Sequence, residues 1–221
     1  MPNWIVAALR FLVIVLMPVF LVLTNVRLLI TDTFLRYEYG KTNFPADTYG
    51  FTQVDRLTYS RIAMDYLLNP EGIEFLGRQT FPDGAPQYNE RELKHMADVK
   101  RVVRAALAVW ILSGVVVVGG TLLLGLTGQR EAARSALVGG AGLTVLIFLG
   151  ILSYIALNFD ALFVQFHQVF FESGTWQFAY SDTLIRLFPL KFWQDVFVLL
   201  GGGSLVEALL IGGVAWWGLA R

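Results

Sequence analysis

Two histidines, His95 and His167, occupy mirrored positions around a pair of uncharged runs. His95 precedes the run that opens at Ala105, and His167 follows the run that closes near Asn158. A short loop, residues 127–134, joins the two runs. If the runs are antiparallel helices, each residue rises about 1.5 Å and both imidazoles emerge on one face of a bilayer at similar heights. Imidazole is the side chain whose ordinary pKa suits proton transfer near neutrality. A converging pair points to acid–base chemistry at the lipid–water boundary.

The neighbours of each histidine sharpen that reading. Asp98 stands three residues after His95, on the same helical face, where a carboxylate could fix the imidazole tautomer and raise its basicity. The alternative is a solvated face on which Asp98 pairs with Arg101 or Arg104. His167 sits in FHQVFF (166–171), followed by Trp176, Phe178 and Tyr180. An aromatic belt at a membrane interface accounts for the rings but not for the imidazole. Phe170 and Trp176 are therefore expected to line an apolar cleft with His167. Zinc would need a third ligand such as Asp98, Glu172 or Asp182. No H-E-x-x-H stands in the chain, so no metal is expected, and no cofactor is expected either. There is no cysteine to act as a thiol nucleophile and no G-x-S-x-G elbow to carry a serine. A net charge of zero gives no reason to expect nucleic-acid binding.

The elements that position these residues are membrane helices. Of 221 residues 56% are hydrophobic and 15% charged, where a soluble domain approaches about a quarter charged. Four segments, near 5–30, 105–126, 136–159 and 196–219, reach the roughly 20 apolar residues a bilayer core demands. The expectation is an all-α integral membrane protein, one membrane domain over 1–221. Four transmembrane helices carry a small, mainly helical cap built from 31–104 and 160–195. An even number of spans puts both cap segments on one side and both termini on the other. Arg130 and Arg134 in the short loop, Arg10, and the terminal Arg221 make the termini cytoplasmic and the cap extracytoplasmic, in the cell membrane. Lys94, Lys100, Arg101 and Arg104 crowd the cap side and oppose that orientation. The first run is too long for a signal peptide, and no A-x-A-like site follows it.

Within the cap, Thr52 and Asp55 read as a capping box for a helix near 53–68. Asn69-Pro70 ends that helix. A loop follows, with a hairpin expected around 73–81 and a turn at Pro82-Asp83-Gly84. Asn89 caps the helix that carries His95, and Ser181-Asp182 caps a short helix ending at Pro189. Arg56 and Tyr59 share a face of the first cap helix. That face is expected to turn toward the histidines, with Arg56 donating to carbonyl oxygens; the alternative is a surface Arg56 paired with Asp55 or Asp32. Glu207, near the middle of the last span, reads as structural, with Arg10 as its expected partner.

At KHMADVK (94–100) and FHQVFFESGTWQF…DTLIRLFPLKFW (166–193), the chain resembles the bacterial lipoprotein intramolecular transacylases and their related integral membrane proteins. FTQVDRLTYSRIAMDYL (51–67) is similar to the family's first cap helix, with Asp55 in the acidic place before Arg56. The resemblance implies acyl transfer within one substrate, a lipoprotein whose N-terminal cysteine carries a thioether-linked diacylglycerol. The sn-2 acyl chain passes to the cysteine's own α-amino group, giving a lyso-form lipoprotein. The motifs imply His95 and His167 as the catalytic pair. Asp98, Arg56, Tyr59, Phe170, Trp176, Asp182 and Trp193 are candidates for supporting or substrate-binding roles. Membrane lipids are the other expected partners. A non-enzymatic membrane protein that binds lipid or lipoprotein is the competing reading.

Overall fold

An apolar run of roughly 20 residues inside a bilayer has no water to satisfy its backbone, and it meets that need within itself as a helix. The computed structural model of the chain describes residues 1–218. In chain order its helices are α1 (Asn3–Leu29), α2 (Asp32–Tyr39), α3 (Gln53–Leu68), α4 (Glu74–Gly77), α5 (Glu90–Gly114), α6 (Gly120–Leu126), α7 (Arg130–Phe170), α8 (Thr183–Leu187) and α9 (Leu190–Gly218). A π-helical stretch, Val115–Gly119, joins α5 to α6 without a break. Among the described residues four helices are long and apolar enough to cross a membrane: α1, α5 with its continuation, α7 and α9. Leu219 and Arg221, invoked above for the last span and for orientation, lie outside the described residues.

Two of these helices are longer than a bilayer needs. α5 through α6 runs 37 residues and α7 runs 41, against the roughly 20 that span the hydrocarbon core. Charge is confined to their ends. Glu90, Arg91, Glu92, Lys94, Asp98, Lys100, Arg101 and Arg104 all precede the uncharged stretch 105–126. On α7 the uncharged stretch 136–159 is followed at once by Asp160. Both histidines thus lie outside the uncharged stretches. α7 bends at that boundary, where Asn158 leaves helical geometry (φ −158°, ψ 74°). Its side-chain oxygen accepts the Ala161 N–H at 3.1 Å, capping the segment that bears His167.

The chain forms two compact units. The first comprises Met1–Arg27, Ala106–Leu157 and the residues from Phe197 on. Its core is Val13, Met17, Leu21, Val117, Ala136, Ala141 and Ala208. Small residues let the helices approach: a Cβ at Gly140 would lie 2.8 Å from the Met17 sulfur, and one at Gly201 would lie 2.7 Å from Leu152. Polar side chains tie helix to helix where no water competes. Trp110 donates to Thr24 at 3.0 Å, and Asn25 donates to Glu207 at 2.9 Å. The partner of Glu207 is therefore Asn25 and not the expected Arg10, which lies some 22 Å away along α1.

The second unit, Leu28–Ala105 with Asn158–Val196, carries both histidines. Ala63, Tyr66, Leu76, Tyr88, Met96 and Leu184 form its core. Thr52 and Asp55 make the reciprocal capping box that starts α3. Of the segment expected as a hairpin around 73–81, residues 74–77 form the short α4, where Leu76 is fully buried, while 79–81 pair back with 85–87, the Phe81 N–H donating to the Ala85 carbonyl at 2.8 Å and the Gln87 N–H to the Gln79 carbonyl at 3.0 Å. A single bridge, Thr80 to Pro86, lies within that pairing, and Gly84 takes the positive φ (85°) that its turn requires. α8 is held against the start of α5 by Glu92, which is 1% exposed. One Glu92 oxygen accepts the Leu184 N–H at 2.7 Å and the other accepts the Asn89 N–H at 2.8 Å.

Candidate active site

His95 lies on the polar half of α5 and His167 on the last turn of α7, after the bend at Asn158. Their rings stand 6.3 Å apart between centroids, near parallel at 20°. Each residue is 8% exposed. Phe171 packs on both, at 4.8 Å from His95 and 5.5 Å from His167. Phe178 closes the other side of His95 at 5.4 Å. Phe163 (4.1 Å), Trp176 (4.8 Å) and Phe166 (5.6 Å) surround His167. The pair thus occupies an aromatic box.

Hydrogen bonding distinguishes the two imidazoles. His167 Nδ1 is 2.8 Å from the Phe163 carbonyl oxygen. A carbonyl can only accept, so Nδ1 carries the hydrogen and Nε2 keeps its lone pair. His95 Nδ1 is buried and has no hydrogen-bond partner, and the same holds for Trp176 Nε1. Burial pushes His95 down to about 4; His167 nearby adds to the effect, and Asp98 opposes it. Burial also lowers His167, against a smaller rise from its bond to Phe163. Both rings are neutral at physiological pH, the state in which an imidazole can accept a proton.

The remaining candidates fall into three groups. Trp176 stands against His167, and Trp193 reaches the same box through Phe163, 6.4 Å away. Phe170 packs on Phe166 at 4.9 Å, at the box's edge, and is 48% exposed. Asp182 precedes α8 and accepts the Ala179 N–H at 2.9 Å, so it shapes the turn after Trp176. Asp98 binds Arg101 and makes no hydrogen bond to His95, which is the solvated-face alternative. Arg56 is buried (6% exposed) and donates to the Pro45 carbonyl at 2.5 Å, with its guanidinium over the Phe44 ring. Tyr59 packs between Phe51 and Phe81. That face of α3 therefore organises the 44–51 loop and makes no contact with either imidazole. Asp32 is taken up by Arg36 and Arg61, and Asp55 by its cap, so the surface ion pair considered for Arg56 does not form. The acidic groups weighed as zinc ligands are engaged elsewhere: Glu172 pairs with Lys94 at 3.0 Å.

Sequence reasoning did not single out Phe163 or Glu92. Phe163, Phe166, His167 and Phe170 follow helical spacing, which puts them on adjoining faces of α7. The Asn89-to-Glu92 spacing is that of a capping box.

With this geometry in view, the family comparison is decisive. The family model of the lipoprotein intramolecular transacylase Lit matches residues 11–193. The chain belongs to the Lit family. An uncharacterized protein of Aquifex aeolicus (strain VF5) is 33% identical over 187 residues, covering 84% of this chain and 80% of that relative. The integral membrane Lit of Bacillus cereus shares the fold, with a TM-score of 0.77 at 19% identity over 99% of this chain and 95% of its own. Two further structures of that Lit, in which a histidine is replaced by arginine or by alanine, give TM-scores of 0.73 and 0.72. As a Lit family member this chain is a multi-pass membrane acyltransferase, a lipoprotein intramolecular transacylase.

Proposed function

We propose that the chain moves the sn-2 acyl group of a diacylglyceryl-cysteine lipoprotein to the α-amino group of that same cysteine, with His167 as the base and His95 as its partner. The carrying observation is the pair of buried, neutral imidazoles in one aromatic box, one of them held with Nε2 unprotonated. An α-ammonium group has a pKa of about 7.7–8.0, so it must shed a proton before it attacks an ester. That first proton leaves to water; the neutral amine then attacks, and His167 Nε2 takes one of its two remaining protons as the N–C bond forms at the ester carbonyl. The carbonyl electron pair moves onto oxygen, then returns as the C–O bond to glycerol breaks. The departing oxygen receives the proton held by His167, while a His95 N–H stabilises its charge. Counted from the neutral amine, one proton moves from nitrogen to oxygen, and none is gained or lost.

Trp176 fits the same scheme. Its buried indole N–H lacks a partner beside His167, and an oxyanion forming there would accept from it. The aromatic walls exclude water, which would otherwise hydrolyse the ester. Holding amine and ester of one molecule together supplies effective molarities on the order of 10⁵–10⁸ M. Phe170 and Trp193, on the same wall, contact the acyl chains; Asp98 is a rim residue. Segments 31–104 and 160–195 face the extracytoplasmic side, supported by the parity of four spans and the arginines of the short loop.

The test is mass spectrometry of a diacylglyceryl-cysteine peptide incubated with the full-length protein in nanodiscs. The parent protein converts it to the N-acyl, monoacylglyceryl isomer. H95A and H167A each fold and lose that conversion. Undiminished conversion by the double variant would discard the scheme and leave lipoprotein binding as the function of the box.

A further inference from the structure

The loop that follows α3 folds back on α5 and leaves a cavity of about 470 Å³, whose walls include Glu71, Asp98, Lys100, Arg101 and Arg104. Its floor is built from fixed parts. Lys100 is 4% exposed and donates to the Glu71 carbonyl at 2.6 Å and to the Asn69 side chain at 2.9 Å. Its ammonium lies 4.0 Å from the Tyr66 ring centroid. Arg104 donates to the Asn69 carbonyl at 3.0 Å.

Charge at this cavity is not balanced. Arg101 is held by Asp98, Lys94 by Glu172, and the Glu71 carboxylate by Arg78. Lys100 and Arg104 bond only uncharged oxygens and have no carboxylate partner among the described residues. A guanidinium has five N–H donors in a fork that suits two oxygens of a phosphate. Arg104 is also the last charged residue before the uncharged stretch 105–126, the depth at which bilayer phosphates lie. This placement accounts for the cluster of four cations in 94–104 that the short-loop charge pattern leaves unexplained.

We propose that this cavity binds the phosphodiester of an anionic phospholipid, with Arg104 and Lys100 as the cationic floor and Arg101 at the mouth. The diacylglyceryl group of the transacylation substrate carries no phosphate, so this lipid is a ligand separate from the acyl donor. Seated there, it fixes the depth of α5 and with it the height of His95, nine residues and about 13 Å further along the helix. The inference does not rest on the acyl-transfer chemistry, because lipid retention is read without turnover.

The experiment places the full-length protein in nanodiscs of phosphatidylglycerol and phosphatidylcholine in equal parts and counts retained lipids by native mass spectrometry. The parent protein keeps phosphatidylglycerol in preference. Near a membrane each Lys or Arg changes anionic-lipid binding by roughly fivefold, so R101Q/R104Q, which also releases the Asp98 carboxylate, lowers the preference by about 25-fold or more. R104Q alone loses about fivefold, and R104K retains most of it; these exposed single changes keep the test open should the double variant fail to fold. Equal retention by parent and R104Q overturns the proposal. So does stripping of the lipid by glycerol 3-phosphate or inorganic phosphate at millimolar concentration, which would mark a soluble-anion site. Displacement by an acidic peptide would assign the cavity to the protein part of the substrate and overturns it equally.

Discussion

Replacing Phe171 by alanine removes the wall shared by both imidazoles, since its ring lies 4.8 Å from His95 and 5.5 Å from His167. In the parent, burial holds His95 at about 4. Against an ordinary value of about 6.5 that is a gap of about 2.5 pH units, on the order of 3 kcal/mol against the charged ring. Water entering through the missing wall restores part of that hydration, and His95 should rise by a unit or more. His167, also lowered by burial, should move the same way. The assay is ¹⁵N-imidazole NMR of the full-length protein, which is simple because the chain has two histidines to assign. In the parent, His95 stays neutral through pH 5; in F171A it begins to protonate above that. The acidic limb of kcat, set by the proposed base His167, lies below pH 6.5 in the parent and higher in F171A. Linkage gives the sign for stability. Because the folded values lie below those of the unfolded chain, the unfolded chain binds protons first as pH falls. The two rings therefore leave the fold unaffected above about 6.5 and destabilise it progressively toward 4. A parent His95 that titrates near 6.5, or one unmoved in F171A, would refute the argument that the aromatic box sets the protonation state.

W176F keeps an aromatic ring beside His167 but removes the buried N–H; kcat should fall about 10²-fold or more while KM changes little, as measured by peptide turnover. E92A orphans the Leu184 and Asn89 amides, destabilising by about 2–4 kcal/mol and lowering the thermal midpoint of the purified protein by roughly 5–10 °C. D98N breaks an exposed pair with Arg101 that makes no bond to His95; kcat should stay within about threefold of the parent, and a loss of 10²-fold would restore Asp98 as an orienting group.

Some features of this protein follow from local pattern alone. The uncharged runs are helical because a continuous span of roughly 20 apolar residues satisfies its own backbone in hydrocarbon only as a helix. The charges that flank them mark the polar halves of α5 and α7 as the parts least suited to hydrocarbon. The α3 start was legible in Thr52 and Asp55, because a capping box closes within four residues and needs no distant partner. Both histidines stood out by residue type and by symmetry about the short loop.

What local pattern could not decide was which side chains meet across the fold. Asp98 and Arg101 are as near in sequence as Asp98 and His95, and an exposed guanidinium took the carboxylate. Arg56 and Tyr59 share a face as read, but that face meets Pro45, Phe44, Phe51 and Phe81 because the 44–51 loop folds back over it. α4 took the first part of the expected hairpin, where Leu76 fills the core, and the strand pairing fell later, between 79–81 and 85–87. Glu207 found Asn25 on another helix, a partner that depends on the rotation of both helices about their axes. The roles of the imidazoles are of this second kind. Residue type made both histidines able to carry a proton; the Phe163 carbonyl, one turn back along α7 beyond the bend at Asn158, decided which nitrogen of His167 is left bare.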